Sequence, residues 1–501
     1  MKKYIRSAAL ILLIGVLAAL TLASCGKCKH EDTDWRVDIE PTCLLAGTRT
    51  KVCEECGEEI ETEQYPGNHI FDEGACTYCG IPQYDTRYLQ YRPITINGEE
   101  GYEVVDMGNC SQYNLRLPAI HNNKPVLAIA AGAFENRVKL KSVHISQNIA
   151  VIGDAAFAGC KALEAVTFAE ESELLSFGSG VFLNCALIER IAIPAGVTTL
   201  SDGLFEGCEA LSEVTVNNSL LSLGDDVFAG CVITPTLEEN GIAYLGTAEK
   251  PYLIMLELKD KTKTELVIPE GTVIVAPYAA NGAAIKSVRF PATLRELGGF
   301  SFAACEQLST PTFPASLVRI GKYAFAECTS ITSITLPNGF LDLGMSAFRD
   351  ATALGTLSLP DSIVHVGSSA FLNCASTLYH SEEGVFYVGN GDNPYLVLIK
   401  ADADITQVTV NDATRVIADN AMKDIKTLTS VYIGAGVVSV GSSALSGCGA
   451  LTEVVFAQTK GWQVAILYGG SDATAADVSV AADNAVAMTG AQRLKCFFRV
   501  A

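Results

Sequence analysis

Basic residues are scarce in this chain: 35 lysines and arginines stand against 56 aspartates and glutamates, a formal charge of −21. Phosphate backbones are held by clustered Lys and Arg that release counterions, so this balance excludes a nucleic-acid partner. It also disfavours extended contact with an anionic lipid surface. Histidine is scarcer still. The six are His30, His69, His121, His144, His365 and His380, and none stands in a nucleophile, phosphate-loop or metallohydrolase motif. Carboxylates are abundant but scattered, and no pair stands out as acid and base, so the sequence points away from an enzyme. Charged residues of both signs make up only 18% and mean hydropathy is +0.27, which excludes disorder for most of the chain and leaves ample material for a core.

What the chain has instead is a repeat. An apolar plug after a small residue recurs at Phe134, Phe157, Phe182, Phe205, Phe228, Phe302, Phe325, Phe348 and Phe371, and in weaker form at Ala280, Met422 and Leu445, with neighbours mostly 23 residues apart. A fixed period of that length predicts a solenoid whose units are stable only when stacked. Each unit divides into two segments. The first has the form L-x-x-V-x-I, as in LKSVHI (140–145), LEAVTF (163–168), IERIAI (188–193), LSEVTV (211–216), IKSVRF (285–290), LSTPTF (308–313), ITSITL (331–336), LGTLSL (354–359), LTSVYI (428–433) and LTEVVF (451–456). Apolar fourth and sixth positions around a polar fifth predict a strand with one buried face. Proline follows five of these segments and closes the strand, because it cannot continue the ladder.

The second segment is I-G-x-x-A-F-x-x-C-x-x-L, as in IGDAAFAGCKAL (152–163). Its glycine is expected to permit a sharp bend and its Phe to plug the core. Cysteine follows at 160, 185, 208, 231, 305, 328, 374 and 448. A buried thiol behaves as a small hydrophobe, so these eight are expected to stack beside their counterparts as structure, without redox or catalytic work. Together the two patterns resemble the BspA-like leucine-rich repeats of bacterial surface proteins, over about residues 85 to 456. The resemblance implies a mainly β leucine-rich repeat solenoid of about 23-residue units with β caps. For function it implies surface attachment and binding of host or matrix proteins, with no shared ligand. Units lacking the Phe plug, at Ala280, Met422 and Leu445, are expected to pack less tightly.

The N-terminus carries a basic MKKYIR stretch, an apolar run from Ser7 to Leu22 and then Ala23-Ser24-Cys25, a secretion signal over 1–24. LASC resembles the lipobox of bacterial lipoproteins, which implies acylation of Cys25 and an exported protein, membrane-anchored through lipid alone. From 25 to 82 the composition changes, and metal-type residues gather at Cys28, His30, Cys43, Cys53, Cys56, His69, Cys76 and Cys79. Two Cys-x-x-Cys-Gly spacings, CEECG (53–57) and CTYCG (76–80), aim thiolate pairs at one point, and eight ligands complete two tetrahedral structural zinc sites. Their pairing stays open, as does the alternative of three disulfides in an exported chain. The segment resembles the zinc-ribbon-like modules that follow the anchor in some bacterial surface proteins.

Residues 83–130 are expected to form an N-terminal β cap, opening with a hairpin in YRPITINGEEGYEVVDMG, and 131–456 the solenoid. Two insertions, GIAYLGTAEKPYLIMLEL (241–258) and GVFYVGNGDNPYLVLIKA (384–401), match each other across 143 residues and predict hairpins projecting from the stack, with turns at Thr247–Lys250 and Asn390–Asn393. Asp392 and Asn393 lack further calcium ligands in sequence and belong to a turn. Residues 457–501 are expected to form a terminal β cap plugged by Trp462; Cys110 and Cys496 receive no role.

The stacked strands predict a sheet on the order of 60 Å long at about 4.8 Å per strand, which suits a macromolecular partner, protein or glycan. Its outward positions are rich in small hydroxyls, with His144, Arg190, Glu213, Arg289, Tyr432 and Glu453 as the larger candidates for a partner-binding face. The leading expectation is a lipid-anchored, non-enzymatic binding protein. The alternatives are a structural envelope spacer without a ligand, and a redox or zinc-handling protein using the N-terminal cysteines.

Overall fold

The computed structural model describes residues 33–39, 47–54, 56, 58–65, 71–72, 75–76, 89–108, 113–465, 474–476, 478–489 and 496–499. They belong to two compact units, Met1–Asp85 and Thr86–Ala501. The first holds an antiparallel sheet of Thr33–Ile39, Gly47–Cys53 and Glu59–Tyr65, with Gly47–Cys53 central, and a short hairpin of Phe71–Asp72 with Ala75–Cys76. Arg49 lies over the Trp35 ring at 4.4 Å, and Arg36 pairs with Glu59 at 2.6 Å.

The second unit is a β-solenoid of about 15 turns with a spacing near 23 residues. The L-x-x-V-x-I segments form a ladder of parallel strands: Ser142–Ile145 pairs with Ala165–Phe168 so that Val143 faces Val166 and Ile145 faces Phe168. Val143 and Ile145 are buried, as the alternation predicts. Three further strands join this ladder, Asn114–Arg116, Glu265–Val267 and Gln407–Thr409, the last in ITQVTV (405–410), which has the motif's form. One expected member fails to form a strand: in LSTPTF only a single bridge, Arg289 to Thr312, survives, because Pro311 has no N–H to give a ladder.

Each coil carries a second parallel ladder that the motif does not announce, built of two-residue strands just before the I-G step. Glu296–Leu297, Arg319–Ile320, Asp342–Leu343 and His365–Val366 pair in sequence, with Leu297, Ile320, Leu343 and Val366 facing the core. The glycine after these strands does not serve a left-handed bend. A Cβ on Gly153 would meet Ala131 N at 2.4 Å, and one on Gly344 would meet Gly321 C at 2.5 Å. Glycine is required there because the coil below comes too close for any side chain.

The plugs then stack through the core. Phe134, Phe157, Phe182, Phe205 and Phe228 lie 5.0 to 6.0 Å apart with rings within 12° of parallel. Phe302, Phe325, Phe348 and Phe371 form a second column at 5.4 to 5.9 Å. Successive turns are hydrogen-bonded as well, Phe325 N to Ala347 O at 2.8 Å for example. The thiols do more than stack on one another. Cys160 donates to Phe134 O at 3.1 Å, Cys328 to Phe302 O at 3.2 Å and Cys448 to Met422 O at 3.0 Å, each reaching the plug carbonyl one coil back. Ala280, Met422 and Leu445, which stand where other coils have the Phe plug, are all buried, and the Cys305 and Cys448 hydrogen bonds are kept.

The C-terminal cap and both insertions depart from expectation in part. The N-terminal hairpin is present, Gln90–Ile96 against Glu99–Asp106, turning at Asn97 and Gly98 with φ of 51° and 86°. The insertions form hairpins with the expected turns, but they do not project. Ile254–Leu258 pairs in parallel with Ile274–Val275, and Val397–Ala401 with Val416–Ile417, so each hairpin begins a new stretch of the short-strand ladder. Tyr244 and Tyr387, at matching positions of the duplication, are buried. At the C-terminal end Trp462 is buried against Phe456 at 4.9 Å. The cap also contains a helix, Ala481–Thr489, which packs on Glu453–Phe456 through buried Ala485 and Met488.

Candidate functional site

The outward side chains of the long-strand ladder fall where the period-2 pattern sends them. Arg190, Glu213, Arg289, Tyr432 and Glu453 are exposed, and His144 is half-buried. His144 Nδ1 lies 3.0 Å from Thr167 Oγ1 on the next coil, and burial together with Arg116 lowers its pKa. Arg190 and Glu213 approach to 3.9 Å. Tyr432 and Glu453 occupy the adjacent strands Ser430–Ile433 and Glu453–Phe456. The six are not gathered into one cluster: they are divided among separate sheets, with Arg289 on the strand Ser287–Arg289 far from either pair in the ladder. The face is a long polar surface without a dense centre.

Of the proposed metal ligands, Cys28, His30, Cys43, His69 and Cys79 lie outside the described residues, as does Cys25. Cys53 ends a strand and is buried, Cys56 follows in the turn and is exposed, and a hydrogen bond from Cys53 N to Glu58 O at 2.9 Å closes that turn. Cys76 ends the strand Ala75–Cys76. Among the described residues no group of three or more His, Cys, Asp or Glu side chains could hold a metal ion. Cys110 also lies outside the described residues, and Cys496 opens the strand Cys496–Arg499.

The densest electrostatics lie on the short-strand ladder, at the first residue of each strand, where the sequence drew no attention. Glu296, Arg319, Asp342 and His365 are consecutive neighbours in register and alternate in sign. Arg319 donates to Glu296 at 3.0 Å and to Asp342 at 3.1 Å; His365 Nδ1 lies 2.6 Å from Asp342, and its Nε2 3.1 Å from Asp419. At the other end Ser222 donates to Glu296, and Arg319 reaches Leu223 O at 3.2 Å. Burial alone would push His365 down, but Asp342 and Asp419 outweigh it and raise its pKa to about 10. Burial pushes Asp342 up, and His365 and Arg319 more than reverse it. Glu296, the most deeply buried member, is pushed up by burial in spite of Arg319. Because Ser222 and Asp419 belong to coils before the first insertion and after the second, this ladder ties three stretches of solenoid together. Its geometry is that of a brace.

Two further features lie on the turns. Tyr278, Phe300 and Tyr323 stack at 4.8 and 4.7 Å on the outside of three consecutive coils, at positive φ, where other coils place Gly132, Gly180 or Ser346. A cavity of about 570 Å³ opens beside Phe371 and the second hairpin. The sequence pattern could flag neither, since both depend on positions the repeat leaves variable.

The geometry defines a leucine-rich β-solenoid, and comparison with protein families specifies it. Residues 109–247, 258–378 and 400–462 match the BspA type leucine rich repeat region, and the chain belongs to that family. Proteins of this type are typically bacterial and found at the cell surface. Among solved structures, the chain is similar to a leucine-rich cell surface protein from Faecalibacterium prausnitzii A2-165, at 18% identity over 74% of this chain and 94% of that one, with a TM-score of 0.25. It is similar to the pneumococcal vaccine antigen PcpA at 16% identity, over 74% and 97%, with a TM-score of 0.31. A T. pallidum leucine-rich repeat protein is 25% identical over 30% of this chain and 90% of its own, with a TM-score of 0.21. No curated protein matches the chain. Among the described residues no helix is long and apolar enough to cross a membrane.

Proposed function

We propose that this is an extracytoplasmic binding protein, held at the membrane by lipid on Cys25 and engaging a macromolecular partner through the outward face of its long-strand ladder, without enzymatic activity. The observation that carries the reading is the register of that face: exposed side chains repeat coil after coil on parallel strands, as at Arg190 and Glu213 or Tyr432 and Val455. The family's association with bacterial surfaces supports the location. Between anchor and solenoid, Cys28, His30, Cys43, Cys53, Cys56, His69, Cys76 and Cys79 would hold two structural zinc ions; the Cys53 turn has the tight closure that a Cys-x-x-Cys knuckle needs.

Binding is tested by titrating the purified chain against immobilised host glycoproteins and matrix proteins, beside a variant carrying R190A, E213A, Y432A and E453A. Saturable binding weakened at least tenfold in the variant supports the reading; equal binding by both sinks it. The anchor is tested by C25A, which should move the protein from the membrane to the soluble fraction. Metal analysis of the purified protein should find about two zincs per chain, and their absence with oxidised thiols would replace the metal module by a disulfide one.

The spacer reading is favoured by one observation. Tyr432, 41% exposed, is the one aromatic among the six candidates on that face, short of the aromatic and Arg cluster typical of a hot spot. Failure of every partner in the titration would leave the spacer standing.

A further inference from the structure

The duplication of the two hairpins supplies an internal control. Positions 143 apart correspond, and the buried Tyr244 and Tyr387 show that the common framework serves packing. Three positions around it differ together. Thr236, Ala243 and Glu257 of the first copy are replaced in the second by Tyr379, Phe386 and Lys400. The three replacements meet in space: Lys400 Nζ lies 4.2 Å from the Phe386 ring centroid and 5.5 Å from that of Tyr379. All three line the cavity of about 570 Å³, together with Phe371.

Charge within that cavity is one-sided. In the first copy Glu257 is paired with Lys259 at 2.9 Å. The second copy inverts the pair to Lys400 and Asp402, yet Lys400 turns away onto the rings and has no carboxylate partner among the described residues. Asp419, the acid on the cavity wall, is occupied by His365 at 3.1 Å. Asn373 and Cys374 in the lining are spent on Asp350 and Phe348 O, but five further polar side chains are unengaged: Ser368, Ser369, Ser376, Ser381 and Asn420 make no side-chain hydrogen bond to a described residue. The volume lies within the roughly 300–1,000 Å³ of small-molecule sites, which combine apolar walls with a few placed polar groups.

From this we infer that the cavity between Phe371 and the second hairpin binds a pyranose bearing a carboxylate, the acidic unit of a glycan. Aromatic side chains give the C–H face of a sugar ring a surface, hydroxyls and amides match its hydroxyl groups, and Lys400 selects the carboxylate. The site uses none of the strand-face residues, so it stands or falls apart from the binding role proposed for that face.

The test is calorimetric titration of the full chain with N-acetylneuraminic acid and with glucuronic acid, beside glucose and N-acetylglucosamine. One acidic sugar should bind at one site per chain, at least tenfold more tightly than both neutral sugars. Which acid binds assigns the source, sialylated glycan or uronic-acid polymer. K400E, which restores the first copy's residue at an exposed position, should abolish that binding with the melting temperature unchanged. E257K should leave it intact, and so should R190A with E213A. Failure of both acids to bind, equal binding of a neutral sugar, or binding retained in K400E would each overturn the inference.

Discussion

Arg319 sets its Nη1 3.0 Å from Glu296 Oε1, one coil below it, and this contact closes one end of a charge ladder that spans three stretches of solenoid. Glu296 is buried and cannot find water if its partner is removed. R319Q should therefore lower stability by about 3–5 kcal/mol, the usual cost of leaving one member of a buried pair uncompensated. The paired change E296M with R319M should recover part of that loss, since it removes the buried charge of Glu296 while Asp342 keeps His365 and Asp225 keeps Lys322. Urea unfolding of the two variants checks the contrast, and equal destabilisation would show that the ladder acts through something other than charge.

His365 makes stability depend on alkaline pH. Its folded pKa, about 10, lies above the ordinary histidine value, so its contribution is complete below about pH 6.5 and declines as pH rises from there to about 10. The melting temperature should fall across that window, and H365Q should flatten the decline while lowering stability at pH 6 by an amount on the order of a few kcal/mol. Asp342 acts on the opposite limb: its pKa is lowered, so its contribution is present above about pH 3.9 and is lost as pH falls below that value.

The stacked thiols should be inert. Burial pushes Cys160, Cys231 and Cys305 up to about 11 and Cys208 and Cys374 up to about 12, and it raises Cys185, Cys328 and Cys448 as well. Thiolate is the reactive form. Iodoacetamide at pH 8 should therefore leave all eight unmodified until denaturant is added, as peptide mass mapping would show. C328A should cost about 1–2 kcal/mol through the lost contact and the lost hydrogen bond to Phe302 O.

Phe325 is packed between Phe302 and Phe348, 5.4 Å from each. F325A opens a cavity in the middle of a column and should cost about 3–5 kcal/mol. Because coils stabilise only their neighbours, hydrogen exchange should rise first in the coils on either side of Phe325 and last in the coils around Phe157. Uniform acceleration along the chain would show that the solenoid unfolds as one unit.

Much of this was legible beforehand, for a definite reason. The Phe plug, the alternating strand and the thiol recur because each coil meets the same environment, so a single pattern repeated many times reports on a single geometry. The strand Glu265–Val267 escaped the pattern because its coil follows an insertion and carries Lys263 where other coils have a leading Leu or Ile, whereas Gln407–Thr409, in ITQVTV (405–410), has the motif's form and was legible. The short strands were missed because two residues carry no period. The I-G glycine was assigned to a bend, whereas its constraint comes from the backbone of the coil below.

What the sequence determined by itself was therefore the unit: its length, its buried face, its plug and the stacking that an isolated unit cannot do without. What only the tertiary structure decided was how units at a distance meet. Ser222 caps Glu296 and Asp419 closes on His365 across insertions that no period crosses. Lys400 turns from Asp402 to the rings of Tyr379 and Phe386 because the second hairpin packs beside the last Phe of its column. A repeat encodes contacts between like positions of adjacent coils; contacts between unlike positions are set by where the stack is interrupted.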